Sequence, residues 1–504
     1  MKIVYCKKRL REILLVFFIE QVFSSYFVGV SRLELPTPRP PDAYSNRTEL
    51  HPELEICGKI TTILVPIQIL SFIFVNLHPL IQKRMIYLVK PPTHPIRATI
   101  NLPASKSISN RVLIIRALSG CDFQIKNMSD CDDTNVMLSG LQLPDTIDVG
   151  GAGTSMRFLT AYLSQLDGQE HIITGSERMK QRPIRILVDA LRTLGADIEY
   201  LGEIGYPPLK IRGKELACTD AIDMDGSVSS QYISAVLMIG PMLKTGLKLR
   251  LDGEVASRPY INMTLALMRQ FGAETRWSDD LSVIEVKPKP YSYKKDKFTV
   301  EPDWSAAAFW FEIVAIRGPR HKDRVKLPGL ILDSIQGDCV CRWCFDDQGS
   351  MISGLDNTVT AFHNHFAANH KLFNFTKCPD LAQSMIVTSC LVDLPFLYTG
   401  LESLHIKETD RIEALKTELA KLGYLLRGGE GEEGVLMWQR GSCRKQKNPV
   451  IETYKDHRMA MAFAPACIKF GEIRIADPGV VSKSYPHFWD DLRTAGFTIE
   501  EVEE

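Results

Sequence analysis

The sequence predicts an α/β fold in which one strand–helix unit recurs six times, divided into two domains of three units. Three observations carry this. Short motifs rich in Ser, Gly and Asp open apolar helices at regular intervals. A second series of glycines closes helices at matching intervals. The chain has 504 residues, 45% of them hydrophobic, which supplies ample core but exceeds the length one core usually serves.

The elements follow in chain order. Ala98–Pro103 reads as a strand. Ser105-Lys106-Ser107-Ile108-Ser109-Asn110-Arg111 turns into a helix that continues through Val112–Leu118. Serines cap this start. Lys106 and Arg111 add positive charge where a helix N-terminus already presents unpaired N–H groups, a combination that suits phosphate. Gly150–Arg157 opens Phe158–Leu163, Gly226–Gln231 opens Tyr232–Met238, and Pro302–Ser305 opens Ala306–Trp310. Pro379–Ser384 opens Met385–Val387, and Lys455–Arg458 opens Met459–Phe463. Starts near 107, 154, 229, 303, 380 and 456 lie about 47 residues apart once and then about 75 apart four times, a period that marks repeated supersecondary units.

Gly195, Gly272, Gly349, Gly423 and Gly496 each follow a helical run and precede an alternating one. Glycine just past a helix takes the left-handed C′ conformation without a Cβ penalty. Each unit therefore reads strand, helix, strand, helix, strands. The boundary between domains falls just before Asp303, around Lys297–Glu301, after the Pro/Lys-rich stretch Lys287–Lys297.

Composition excludes several classes. A formal net charge of zero argues against a nucleic-acid binder, which usually carries a basic excess. Twelve cysteines in a chain this long are no disulfide signature. Cys339, Cys341 and Cys344, with His363, His365 and His370 downstream, admit a zinc reading. Paired CxxC knuckles are absent, however, and the cysteines fall in the predicted helix before Gly349, so buried free thiols are the alternative adopted.

The first 84 residues do not share the repeat. A basic, apolar start (Lys7–Ile19) resembles a signal peptide, but Glu20 and Gln21 end the run early. Ile60–Leu80 has the length of a membrane span, but Pro66, Gln68, Asn76, His78 and Pro79 interrupt it. Ser31–Pro41 reads like the translation of an upstream non-coding stretch. Residues 1–84 are therefore expected to be an extension outside the fold, arising from a mis-assigned start, with the working protein beginning at Met85. It is expected to be cytoplasmic, with no membrane partner.

The residues left for chemistry are mostly anion binders: Lys106, Arg111, Arg157, Arg182, Lys407, Arg411, Arg458 and Lys483. Arginine forks match carboxylate and phosphate geometry. Two acids, Asp380 and Glu408, stand among them. One group to remove a hydroxyl proton and another to deliver a proton to carbon is what proton transfer requires. Together they suggest a cleft between two domains that binds phosphorylated or carboxylated small molecules.

These residues carry a resemblance to a known family. From Met85 onward the chain resembles the 5-enolpyruvylshikimate-3-phosphate (EPSP) synthases. Six ordered motifs match: Leu102–Arg111 (LPASKSISNR), Gly151–Arg157 (GAGTSMR), Arg178–Ile184 (RMKQRPI), Ser227–Gln231 (SVSSQ), Lys407–Arg411 (KETDR) and Asp456–Met461 (DHRMAM). The resemblance implies a two-domain inverse α/β barrel, each domain built of three βαβαββ units, with the active site in the interdomain cleft. Residues 85–103 plus 301–504 would form a discontinuous domain 1, and 104–300 domain 2.

It also implies transfer of the enolpyruvyl group of phosphoenolpyruvate to the 5-hydroxyl of shikimate 3-phosphate. Ser107, Arg111, Ser229, Ser230, Ser257, Asp380 and Lys407 would hold shikimate 3-phosphate. Lys106, Gly153, Arg182, Gln231, Arg411, Arg458 and Lys483 would hold phosphoenolpyruvate. Asp380 would take the hydroxyl proton and Glu408 would protonate the methylene carbon, with Lys106 as a third catalytic group. No metal or organic cofactor is implied, and the expected state is a monomer. Glyphosate would compete with phosphoenolpyruvate, and Gly153 would leave open the space beside that subsite.

The chain departs from the family pattern at several places. Gly151 stands where asparagine is common, Phe158 where proline is common, and Ser403 where an asparagine ligand is frequent. Cys339–Phe375 is the least family-like stretch. Besides a membrane-anchored protein, which would rest on Ile60–Leu80 alone, two other readings stay open. One is the sister enolpyruvyl transferase acting on UDP-N-acetylglucosamine, whose cysteine loop is not found here. The other is a silent phosphate-binding relative, against which Asp380 and Glu408 argue.

Overall fold

The computed structural model describes residues 84–218, 220–227, 229–355, 357–363, 368–429 and 434–503. The signal-like start, Ser31–Pro41, Ile60–Leu80 and His365 lie outside the described residues.

Six inner helices begin at the six motifs. They are α1 (Lys106–Ser119), α2 (Gly153–Ser164), α3 (Ser230–Ile239), α4 (Trp304–Arg317), α5 (Ala382–Leu391) and α6 (His457–Phe463). Side chains start several of them: Asp303 accepts from the Ala306 N–H at 3.1 Å and Asp456 from the Arg458 N–H at 2.8 Å. Each such cap is worth about 1 kcal/mol. The start of α1 departs from expectation. Ser105 makes no capping bond through its side chain, and its hydroxyl is buried without a partner. Its peptide N–H instead donates to Glu301 O at 2.8 Å, so the chain crossing, not a serine cap, fixes this helix start. Every residue of α2 and α5 is buried. A helix covered on all sides has no polar face, which is why these two show no amphipathic stripe in the sequence.

The five closing glycines all adopt the left-handed conformation, with φ between 86° and 100°. Among the described residues the strands then assemble into five four-stranded sheets and one two-stranded sheet. The unit holding α2 shows the rule. Thr146–Asp148 pairs in parallel with Glu170–Thr174, which pairs antiparallel with Leu209–Arg212, which pairs antiparallel with Asp197–Tyr200. The unit holding α6 is completed from the other end of the described chain. Its sheet takes in Ile86–Lys90 between Ile473–Ala476 and Thr498–Val502. The unit holding α1 is the exception: Gln124–Lys126 pairs only with the returning strand Lys297–Thr299. The missing hairpin accounts for the short first interval in the sequence period.

The described residues form two hydrophobic cores. One gathers Val89–Leu102 with Trp304–Phe497, and the other spans Ala104–Val300. We call the structures around them the N/C lobe and the middle lobe. Inner helices α1–α3 pack on one another in the middle lobe and α4–α6 in the N/C lobe. Fully buried side chains such as Phe158, Phe309 and Phe311 each contribute about 1.5–3 kcal/mol by leaving water. The chain crosses between lobes twice, side by side. Ala104 bridges Pro302, and the Asp303 N–H donates to Pro103 O at 2.8 Å.

Candidate active site

The starts of α1, α2, α3, α5 and α6 converge on one cavity of about 310 Å³, joined by the start of the helix Arg411–Lys421. The start of α4 does not reach it. Of the residues singled out in the sequence, Lys106, Ser107, Arg111, Gly153, Arg182, Ser229, Ser230, Gln231, Ser257, Asp380, Lys407, Glu408, Arg411 and Arg458 all line this cavity. Lys483 does not line it. It stands behind Glu408, whose Oε1 its Nζ approaches to 2.9 Å.

The N/C lobe contributes a tight knot of charge. Arg411, with a side chain only 2% exposed, faces three carboxylates: Asp456 at 2.7 Å, Glu408 at 3.0 Å and Asp380 at 3.3 Å. Arg458 reaches the other oxygen of Asp380 at 3.1 Å, and Lys407 lies 3.7 Å from Oδ1. Burial opposes ionisation of Asp380, but Arg458, Lys407 and Arg411 outweigh it and hold the carboxyl well below its ordinary range. For Glu408 too, burial is overcome by Lys483, Arg411 and Arg182, and the carboxyl is held well below its ordinary value. Both acids are therefore carboxylates in the unliganded protein. His457, at the start of α6, is kept neutral by burial and by the neighbouring Lys106 and Arg458.

The middle lobe supplies most of the remaining cations. Lys106 pairs with Asp133 at 2.9 Å. Burial lowers Arg182 to about 10, helped by repulsion from Arg157. Burial likewise lowers Arg111 to about 10. Arg111 is nevertheless fixed on all sides: Nε donates to Thr264 at 2.7 Å, Nη1 to Ser107 O at 2.9 Å and Nη2 to Ser234 at 3.2 Å. Its guanidinium also lies over the ring of Phe158, 5.2 Å from the centroid. The departure at Phe158 thus has a place in the site. Guanidinium groups crowded together with few carboxylates form a ready receptacle for polyanions.

Three details were not legible in the sequence. Ser257 adopts φ 51° and ψ 33°, a left-handed conformation rare for serine, and its N–H donates across the cleft to Thr376 O at 2.7 Å. Tyr260, one turn later, also lines the cavity. Gly153 lines the cavity, but the direction in which a side chain would project is filled: a Cβ there would lie 2.7 Å from Arg157 Nη1 and 2.8 Å from Arg182 Nη1, which corrects the expected opening.

Among the described residues, no group of three His, Cys, Asp or Glu side chains is placed to hold a metal ion. The zinc reading of Cys339, Cys341 and Cys344 thus finds no such group there. Burial pushes the Cys344 thiol up to about 12, as for a structural cysteine. No described helix is long and apolar enough to cross a membrane.

Comparison with known proteins bears on this arrangement. A family model described as EPSP synthase (3-phosphoshikimate 1-carboxyvinyltransferase) matches residues 90–144 and 140–492. The chain belongs to the EPSP synthase family. It is 52% identical over 421 residues to the 3-phosphoshikimate 1-carboxyvinyltransferase of Bacteroides fragilis strain YCH46, covering 83% of this chain and the whole of that relative. It is 35% identical over 431 residues to the Haemophilus influenzae strain KW20 protein of the same description, covering 80% of this chain and 97% of that one. An EPSP synthase structure from Acinetobacter baumannii shares the fold, with TM-score 0.62, 21% identity and coverage of 83% of this chain. The α/β architecture of small sheets around inner helices is thus the EPSP synthase fold.

Proposed function

We propose that this cavity divides its two ends between the two substrates of enolpyruvyl transfer. The activity is that of the family: the enolpyruvyl group of phosphoenolpyruvate passes to the 5-hydroxyl of shikimate 3-phosphate, and inorganic phosphate leaves. Ser107, Arg111, Ser229, Ser230 and Ser257 would hold shikimate 3-phosphate, with Asp380 and Lys407 at its ring hydroxyls. Lys106, Gly153, Arg182, Gln231, Arg411 and Arg458 would hold phosphoenolpyruvate, with Lys483 acting on it from behind Glu408.

The observation that carries this reading is the position of Arg411 between Asp380 and Glu408, at 3.3 and 3.0 Å. One cation thus joins two acids on one wall of an anion-binding cavity. Asp380 is ionised and partly exposed, as a base must be, and takes the proton of the 5-hydroxyl as its oxygen bonds to C2 of phosphoenolpyruvate. The methylene carbon takes a proton from Glu408 and becomes a methyl group, giving a tetrahedral intermediate. The surrounding cations stabilise the negative charge of its carboxylate and phosphate groups. Loss of a methyl proton back to Glu408 restores the double bond as phosphate departs, and the departing phosphate takes up the proton held by Asp380.

Glu408 is a carboxylate before substrate arrives, so it must first gain a proton. Phosphoenolpyruvate brings its own negative charge to Arg182, Arg411 and Lys483. It thereby competes for the cations that depress Glu408 and adds like charge beside it, and both effects raise the affinity of Glu408 for a proton. The test is phosphate release from phosphoenolpyruvate with and without shikimate 3-phosphate. Release that depends on shikimate 3-phosphate supports the reading. Release that depends on UDP-N-acetylglucosamine favours the sister transferase, and binding without release favours a silent relative.

A further inference from the structure

Asp338 has no part in the acid–base scheme, yet it is 2% exposed and lies within electrostatic reach of Asp380 and Arg458. It sits in the turn Gly337–Val340 of the N/C lobe. Each of its oxygens receives one hydroxyl. Ser305, in the first turn of α4, donates to Oδ2, and Tyr260 donates to Oδ1 at 2.9 Å. Tyr260 belongs to the middle lobe, so this bond spans the cleft. On the middle-lobe side the chain of contacts continues. Arg111 Nε donates to the Thr264 hydroxyl at 2.7 Å, and that hydroxyl donates to Tyr260 O at 2.9 Å. The contacts therefore run from Arg111 through Thr264 to the backbone of Tyr260 and, by way of that residue's own side chain, across the cleft to Asp338, whose carboxyl feels the charge of Asp380.

We propose that Asp338 is a positioning residue for enolpyruvyl transfer: through Tyr260 it fixes the Arg111 subsite of the middle lobe relative to Asp380. The inference rests on the assignment of Arg111 to the sugar phosphate and Asp380 to the base. Those two groups lie on different lobes, so their separation depends on what joins the lobes across the cleft. The backbone hydrogen bond from Ser257 N–H to Thr376 O lies on the same side, and Pro259 packs so closely on Gly337 that a Cβ at Gly337 would meet it at 2.4 Å. Asp338 faces Tyr260, Ser305, Asp380 and Arg458, with the thiols of Cys341 and Cys378 nearby. Burial and the charge of Asp380 push it up to about 6, against Arg458. A buried carboxylate held in this way is a poor stabiliser of the fold.

The test is a cycle of Asp338→Asn, Tyr260→Phe and the double variant, read by kcat and by calorimetric binding of shikimate 3-phosphate. Each single change is expected to lower kcat by about ten- to a hundredfold, the scale of one hydrogen bond to a charged group. Binding is expected to change by less than about threefold, since the cost falls on orientation. The double variant is expected to be no slower than the slower single one. Additive losses, binding that weakens in step with kcat, or a Tyr260→Phe enzyme with normal kcat would each overturn the inference. If Asp338→Asn does not fold, Tyr260→Phe, which removes one oxygen, still decides the matter by the last two criteria. A fully active Asp380→Asn variant would overturn the assignment beneath it. An inactive one alongside additive losses would overturn this inference alone.

Discussion

Lys483 Nζ and Glu408 Oε1 lie 2.9 Å apart, and each side chain is 14% exposed. The pair ties the end of the turn Pro478–Lys483 to the motif Lys407–Arg411, and it helps set the protonation state from which the reaction begins. Glu408 starts ionised and has to be converted to an acid by the arriving substrate. Glu408→Gln should therefore lower turnover by roughly a hundredfold or more, the usual scale for a positioned acid–base group. It should also abolish exchange of solvent hydrogen into the methylene of phosphoenolpyruvate. Shikimate 3-phosphate should still bind, as calorimetry would show. Asp380→Asn keeps the shape of the base but cannot take the hydroxyl proton, so phosphate release should fall on the same scale. Near-normal turnover in either variant removes that residue from the mechanism.

The same carboxylates make a prediction about stability and pH. Asp380 and Glu408 are both held below their ordinary values of 3.8 and 4.5. A depressed acid stabilises the fold fully above its unfolded pKa and loses that contribution as pH falls through the folded one. Between pH 5 and 7 these two groups should thus contribute their full stabilisation, independent of pH, and the unliganded protein should lose that contribution steadily below about pH 4. Urea midpoints from pH 7 to pH 3 would measure this. The slope below pH 4 should be shallower in the double variant Asp380→Asn/Glu408→Gln, and an unchanged slope would contradict the ionised state assigned to both.

What the sequence disclosed follows the range of the interactions. Helix starts such as Asp303 and Asp456 and helix ends such as Gly423 are set by contacts within a few residues, so motifs revealed them. The cations at those starts were legible for the same reason. Tyr260 and Asp338 were not, because they are 78 positions apart and meet only across the cleft. The left-handed Ser257 escaped notice because serine carries no sign of that conformation. Gly153 was visible, but its neighbours were not. Arg182 belongs to another motif, and only the fold places its guanidinium against α2. The division of labour between the substrates came from family resemblance, since periodicity alone cannot tell one anion subsite from another.

A chain beginning at Met85 should fold and turn over like the full one. The family match begins at residue 90, and the described cores start at Ile86–Val89. The truncation would remove one contact that the structure does describe, the ion pair of Arg84 with Glu452 and Asp477. Those side chains are 30%, 33% and 51% exposed, and a partly exposed pair contributes about 0–1 kcal/mol. The melting temperature should shift by only a few degrees, on the order of what such a loss produces in a large domain. Loss of solubility or of phosphate release on truncation would show that the first 84 residues take part in the working protein.

Gly153→Ala tests the phosphoenolpyruvate end of the cavity. The new methyl would sit 2.7 Å from Arg157 Nη1 and 2.8 and 2.9 Å from the two terminal nitrogens of Arg182. Contacts that short do not persist, so something has to move. Arg157 has little freedom: Nη1 donates to Gly153 O at 2.8 Å, and its guanidinium lies over Tyr232 at 5.0 Å. Arg182 makes neither of these contacts and gives way more readily, toward the cavity it lines. A displaced Arg182 narrows the subsite and misaligns a fork that matches carboxylate or phosphate geometry. The KM for phosphoenolpyruvate should rise several-fold while shikimate 3-phosphate binds as before. Glyphosate, a longer molecule, has less room to adjust when Arg182 advances, so its inhibition constant should rise by a larger factor than that KM. The two constants, measured side by side at saturating shikimate 3-phosphate, decide the point. An unchanged inhibition constant would mean that Gly153 and Arg182 do not border the inhibitor. A parallel rise in both would mean that the methyl acts on the shared anion site and not on the length of the ligand.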